Sequence, residues 1–222
     1  MRLILKPAAL TGVAALLLGS VMPAETVSEQ TPHEIIRVAS TSIAEKLNGR
    51  IEYFEQNSED LYRLINDALL PHFDTRYAGR LVLGKHWKRV SSEQRNDFID
   101  AFHEFLLRSY ANGVLQFDQD RIDILPAEGE QEGNRAIVKT RMRLDDGTIV
   151  PVNYSMRKSS VGWRVYDVRI EGISYIQNYR NQFNAEIHAL GVDAVIERLR
   201  ADNTAAGNPE GMEPAADDTG VQ

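Results

Sequence analysis

The side chains able to do chemistry are few and scattered. Cysteine is absent, so there is no thiol nucleophile, no thiolate metal ligand and no disulfide. The five histidines are His33, His72, His86, His103 and His188, and no two fall at the helical spacing that lets a pair of imidazoles share one metal. HEFLL at 103–107 begins like a zinc-protease helix but lacks its second histidine. There is no Gly-x-Ser-x-Gly elbow and no phosphate-cradling glycine loop. One acid remains: Asp167, set beside Tyr166 in the apolar run YDVRI, is the only carboxylate to weigh as a general base. It reads more economically as a structural acid, paired with an arginine or hydrogen-bonded to backbone at a strand bulge. The expected catalytic set, metal set and cofactor are therefore none.

The elements that position these residues follow from periodicity and capping. Thr31-Pro32-His33-Glu34 supplies an N-cap, a proline at N1 and a glutamate at N3, and Ile35, Val38, Ile43 and Leu47 continue a helix to about Gly49. Ser58 can cap a second helix bearing Leu61, Leu64, Ile65, Ala68 and Leu69, with a break near Pro71. Asp74 can cap a short third helix that stops at Gly84. Ser91 and Gln94 form a capping box ahead of a long helix with Phe98, Ala101, Phe102, Phe105, Leu106 and Tyr110 on one face, its end marked by Asn112-Gly113.

From Ile122 the period changes from helical to alternating. Ile122 and Ile124 predict a short strand. Ala136, Val138, Thr140 and Met142 share one face of the next, with Lys139, Arg141 and Arg143 on the other. Asp146-Gly147 is a hairpin turn, and the return strand puts Val150, Val152, Tyr154 and Met156 together, with Pro151 favouring a bulge or an edge-like position. The last strand, GWRVYDVRI, runs through Glu171 and Gly172 straight into a helix capped by a Ser174–Gln177 box, and Asp193 can cap a final helix through Leu199. Helices, then consecutive antiparallel strands, then helices make an α+β fold: a single domain with helices packed on one concave face of a twisted antiparallel sheet of about four strands, NTF2- or cystatin-like in appearance.

The ends and the charge bound the setting. Arg2 and Lys6 followed by the apolar run Ala8–Leu18 read as a signal peptide over residues 1–24, cleaved after Ala24. The run is shorter than the roughly 20 residues of a spanning helix, and without a cysteine there is no lipid anchor. The expectation is a soluble periplasmic protein, with a folded domain over 25–200 and a disordered acidic tail over 201–222. The formal net charge of −7 becomes −9 once Arg2 and Lys6 leave with the leader, which argues against nucleic acid and against simple adhesion to anionic lipid. A chain that is 43% hydrophobic can build a core without disulfides.

Two long stretches then carry a resemblance. PHFDTRYAGRLVLGKHW at 71–87 with SSEQRNDF and AFHEFL after it, and GWRVYDVRIEGISYIQNYRNQF at 162–183, resemble the MlaC (toluene-tolerance) family of periplasmic phospholipid-binding proteins. The likeness spans nearly all of the chain between leader and tail; the acidic tail is a departure from it. It implies a soluble phospholipid carrier in an ABC-transporter system for outer-membrane lipid asymmetry. Its partners would be an outer-membrane lipoprotein–porin complex and an inner-membrane complex built on an MCE-domain ring. The acyl chains would lie between helices and sheet.

Given that implication, the lining should be large apolar side chains with no polar group left unpaired. The candidates are Leu81 and Val82 in the short helix; Phe98, Phe102, Leu106 and Tyr110 in the long one; Val138, Met142, Val152, Tyr154 and Met156 on the sheet; and Val168, Ile170 and Ile173 in the closing stretch. Arg80, Lys85 and Arg180 are candidates to meet phosphate at a mouth. Two chains of about 16 carbons gain roughly 25 kcal/mol on leaving water at about 0.8 kcal/mol per methylene. A bilayer offers much the same, so direction must come from the partners or from ATP. Two other readings stay open: an NTF2-like pocket enzyme using Tyr166 and Asp167, and an interaction module that carries nothing. A continuous apolar cavity near the upper end of the usual ~300–1,000 Å³ range would favour the carrier, a polar pocket the enzyme and no pocket the module.

Overall fold

The computed structural model describes residues 30–115, 119–127, 131–144 and 146–205. The leader expected over 1–24 and most of the acidic tail lie outside them.

The helical half opens with α1 (Pro32–Leu47), where Thr31 and Glu34 complete a capping box. A short α2 (Ile51–Gln56), not foreseen, precedes α3 (Ser58–Leu69). Ser58 is the first residue of α3 rather than its cap; Asn57 occupies that position and turns its side chain back to the Tyr53 carbonyl. After a 3-10 turn at Leu70–His72, Asp74 caps α4 (Thr75–Leu83) by accepting from the Tyr77 N–H at 2.9 Å. Ser91 and Gln94 exchange bonds of 3.0 and 2.9 Å at the head of α5 (Ser92–Leu115). This helix runs through Asn112-Gly113 without stopping. Gly79 lets α4 approach α5, since a Cβ there would sit 2.6 Å from Ile99 Cγ1.

The sheet has six strands in the order β1 (Ile122–Ile124), β3 (Arg135–Arg143), β4 (Ile149–Ser159), β5 (Gly162–Ile170), β6 (Ile173–Ser174), with β2 (Gln131–Glu132) paired to β3. The four strands read from alternation are present, and two of two residues each are added. All pairings are antiparallel. Pro151 sits opposite Arg141, one residue beyond the last β4–β5 pair, Val152 and Ile170; its carbonyl still accepts from the Glu171 N–H at 3.0 Å, so the proline stands at the end of that ladder, where a missing N–H is tolerated. The register between β4 and β5 slips at Ser155/Met156, pairing Ser155 with Asp167 and Met156 with Val165 and leaving Tyr166 as the extra residue of a bulge.

Past β5 the chain does not run straight into a helix. Glu171 (φ 53°) and Gly172 (φ 85°) make a two-residue turn with both φ positive, the type I′ pattern, and β6 folds back on β5 before α6 (Tyr175–Leu190). Finally α7 (Val192–Ala205) extends past Leu199 and lies along α5, tied by Gln94 to Asp193, Arg200 to Asp97 and Asn203 to the Ala101 carbonyl. Asp193 is thus inside the helix and bonded to α5 instead of serving as its cap.

The core divides into three. One cluster joins α4, α5, α6 and α7 around Phe98, Phe102, Tyr179, Phe183 and Leu199. A second joins α1, α2, α3 and α5 around Leu47, Phe54, Leu61 and Ile65. The third packs Ile35 and Ile36 of α1 on Ala136, Val138, Met156, Trp163 and Val165 of the sheet.

Candidate functional site

Where the three clusters meet they leave a cavity of about 340 Å³ with an almost wholly apolar wall. Ligand pockets run from about 300 to 1,000 Å³, so its volume is at the lower end of that range. The long helix α5 forms the largest part of the wall through Ile99, Phe102, His103, Leu106, Leu107, Tyr110, Ala111 and Val114. Opposite stand Ile65, Asn66 and Leu69 of α3, then Leu70 and Phe73. Thr75 and Ala78 of α4, Tyr166, Asp167, Val168 and Ile170 of β5, and Tyr175 and Ile176 of α6 complete it.

The helix presents two stripes. Phe98, Ala101, Phe102 and Phe105 turn into the first cluster, and the stripe beginning at Ile99 and passing through His103 to Tyr110 faces the cavity. Ile99, His103 and Leu107 are wall residues outside the expected lining, because a histidine interrupts their apolar stripe; the 99, 103, 106/107, 110, 114 spacing is the signal that finds them.

Of the fourteen expected lining residues, Phe102, Leu106, Tyr110, Val168 and Ile170 are on this wall. The other nine are not, for identifiable reasons. Val82 and Phe98 are at most 1% exposed within the four-helix cluster, and Leu81 is a half-buried neighbour on α4. Val138 and Met156 are fully buried under α1, which fills the part of the sheet where acyl chains were expected. Tyr154 packs against that same cluster. Val152 is buried and Met142 half-buried on the sheet, away from the wall, and Ile173 on β6 is 45% exposed.

The imidazole, amide and carboxylate on the wall have protein partners. His103 Nε2 and Asn66 Oδ1 pair at 2.9 Å across α5 and α3, and burial holds the imidazole below its ordinary pKa. Asp167, 5% exposed, accepts from the Ser174 hydroxyl at 2.7 Å and from the Ile176 N–H at 3.1 Å, with Arg169 at 3.5 Å. The carboxylate therefore ties the β5 bulge to the first turn of α6. Ser174 caps the Gln177 N–H, whereas the Gln177 side chain turns to Asn181, so only half of the expected capping box forms and Asp167 supplies the second acceptor. Tyr166 does not join Asp167; its hydroxyl accepts from Arg135 and its ring stands edge-on to Tyr77. At one side Tyr110, Tyr175 and Tyr179 cluster, with the Tyr110 and Tyr179 hydroxyls 2.8 Å apart.

Lys85 and Arg180 line a separate polar hollow of about 190 Å³ with Asn181 and Asn184, which shares no wall residue with the cavity; Arg80 is exposed outside both. Among the described residues no three His, Asp or Glu side chains converge on a metal-sized site.

Known proteins share this architecture. The phospholipid-binding protein of Ralstonia solanacearum, solved in complex with a phospholipid, superposes with a TM-score of 0.73 at 22% identity, over 81% of this chain and 100% of that one. The toluene tolerance protein ttg2D of Pseudomonas putida is 27% identical over 179 residues, 80% of this chain and 83% of its own. The intermembrane phospholipid transport system binding protein MlaC of Haemophilus influenzae is 24% identical over 180 residues, 78% of this chain and 83% of its own. Residues 37–201, from early α1 to the last turns of α7, match the family described as MlaC protein, and the chain belongs to that family.

Proposed function

We propose that this protein is a phospholipid carrier that holds acyl chain in the cavity between α3, α5, β5 and α6. The observation that carries the reading is the apolar void at the junction of three otherwise packed cores. A partly open apolar cleft of this size leaves its side chains facing water in place of packing partners, and an apolar ligand would supply those partners. Membership of the family and the lipid bound by the Ralstonia protein support the same reading.

At 340 Å³ the void is small for a diacyl lipid, so loading requires its walls to part. Transfer from a membrane then gains little free energy in either direction, since both environments are apolar. The protein's work is to remove the aqueous step, and direction comes from its partners. We assign those as an outer-membrane lipoprotein–porin complex and an inner-membrane ABC complex with an MCE-domain ring, with the chain working in the periplasm after removal of residues 1–24. Among the described residues no helix is long and apolar enough to cross a membrane.

The enzyme alternative loses its candidate base, because both oxygens of Asp167 are engaged in holding α6. Protein purified under mild conditions is expected to yield extractable phospholipid at close to one per chain, read by native mass spectrometry. A folded, delipidated sample that takes up none would sink the reading.

A further inference from the structure

The cavity wall holds one group of polar atoms that its own contacts do not use up. Tyr110 and Tyr175, both half-buried, are on the wall where it approaches the surface, and their rings meet edge-to-face at 5.3 Å. Tyr179 lies behind them, 4% exposed and boxed in by the rings of Phe102, Phe105 and Phe183. The Tyr110 and Tyr179 hydroxyls bond at 2.8 Å, and either can be the donor. Tyr175 and Tyr179 stand tilted at 6.5 Å with no hydrogen bond between them.

Three phenols in an open chain carry three donor hydrogens and make at most two bonds among themselves. One O–H is left over. If it were on Tyr179 it would be buried among aromatic rings with no acceptor, which is costly. Reversing the chain, so that Tyr179 donates to Tyr110, moves the spare hydrogen to the cavity side, where a ligand can meet it. Burial raises the Tyr110 phenol well above its ordinary pKa and Tyr175 to about 12, so these hydroxyls remain donors at any physiological pH.

We propose that Tyr110 and Tyr175, backed by Tyr179, donate a hydrogen bond to an ester carbonyl oxygen of the bound diacyl lipid. The inference rests on the carrier reading. An amphiphile whose chains fill the cavity and whose headgroup stays in water has its ester carbonyls at the boundary between the two, which is where these phenols are. Ester carbonyls accept well, whereas the oxygens of an ether-linked lipid of the same length accept poorly. The site therefore selects glycerol esters over ethers and plain hydrocarbon, through a contact that leaves the headgroup free.

The test loads the delipidated full chain with dipalmitoyl phosphatidylethanolamine carrying carbon-13 at its ester carbonyls, in competition with the dihexadecyl ether analogue. Wild type is expected to prefer the ester by about tenfold, the size of one hydrogen bond. Its labelled carbonyl band in the infrared should lie lower than in the Tyr110→Phe/Tyr175→Phe variant, whose preference should fall to near unity. Both ring bodies remain in that variant, and the wild-type comparison needs no variant at all. Equal binding of ester and ether by wild type, or a carbonyl band that the double substitution leaves in place, overturns the inference while leaving the carrier reading intact. Failure of wild type to bind either lipid overturns both.

Discussion

Leu106 and Val152 look alike as apolar, periodic residues, yet they differ in what a larger side chain would meet. Leu106 borders the cavity, so in Leu106→Trp the indole takes space that lipid would occupy. Lipid recovered per chain should fall several-fold, with stability changed by less than about 1 kcal/mol. Val152 is 6% exposed and away from the cavity, so Val152→Trp has nowhere to go and should cost about 1–3 kcal/mol in denaturant unfolding. Lipid occupancy unchanged in Leu106→Trp would remove that residue from the lining. His103 gives a second residue-scale prediction. Burial lowers its pKa below the usual 6.5, so the folded state binds fewer protons than the unfolded one as pH falls through that range. The stability this group contributes is full above the unfolded value and lost as pH drops toward the folded one. His72 is shifted the same way by burial and Arg164, so wild type has two such groups. Comparing melting at about pH 7.5 and 5 in wild type and His103→Gln isolates one of them: the variant should lose less stability on acidification. An identical loss in both would assign the effect elsewhere.

At the scale of elements, the turn between β5 and β6 stores a correctable cost. Glu171 holds φ at 53°, where a side chain with no local hydrogen bond to offer is disfavoured, while Gly172 takes φ 85° freely. Asn-Gly is the preferred pair for this turn, so Glu171→Asn should stabilise the protein by roughly 0.5–1 kcal/mol, measured by urea unfolding. A loss of stability would show that the Glu171 side chain has a role the backbone does not reveal. The same turn marks what periodicity could and could not tell. Strands β3, β4 and β5 alternate over nine to eleven residues and were legible from the residues alone. Strands β2 and β6 are two residues long, too short to have a period, and exist because β3 and β5 offer them an edge. Local caps were legible at Thr31, Asp74 and Ser91, while Ser58 and Asp193, read as caps, lie just inside their helices. Caps were not legible where the acceptor comes from another element, as Asp167 does for α6. The cavity followed the same rule. Its α5 stripe is periodic and five of the expected residues are on it or facing it, but the sheet's share depended on where α1 would settle. Ile35 and Ile36 cover Val138 and Met156, and nothing in the alternation of the strands announces that.

For the whole molecule, dividing the core into three makes the occupant a structural part. The α1–sheet cluster is packed without it, whereas α3, α4, α5, β5 and α6 each contribute wall to the cavity. Filling the cavity therefore adds contacts to those five elements and almost none to β3 and β4. A ligand that binds only the folded state stabilises it by about 2.7 kcal/mol at a free concentration 100 times its dissociation constant. For a chain of 222 residues that is a rise in melting temperature of roughly 5–10 °C. Hydrogen exchange should locate the gain. On loading the delipidated protein, amides in α3, in the Ile99–Val114 part of α5 and in the first turns of α6 should become slower. Those of β3 and β4 under α1 should change only as global stability does. The first turns of α6 are the most informative, because Asp167 fixes them to the β5 bulge and they close the cavity beside Tyr175. Protection spread evenly over the molecule, or confined to the Lys85–Arg180 hollow, would mean that lipid is held somewhere other than at the junction of the three cores.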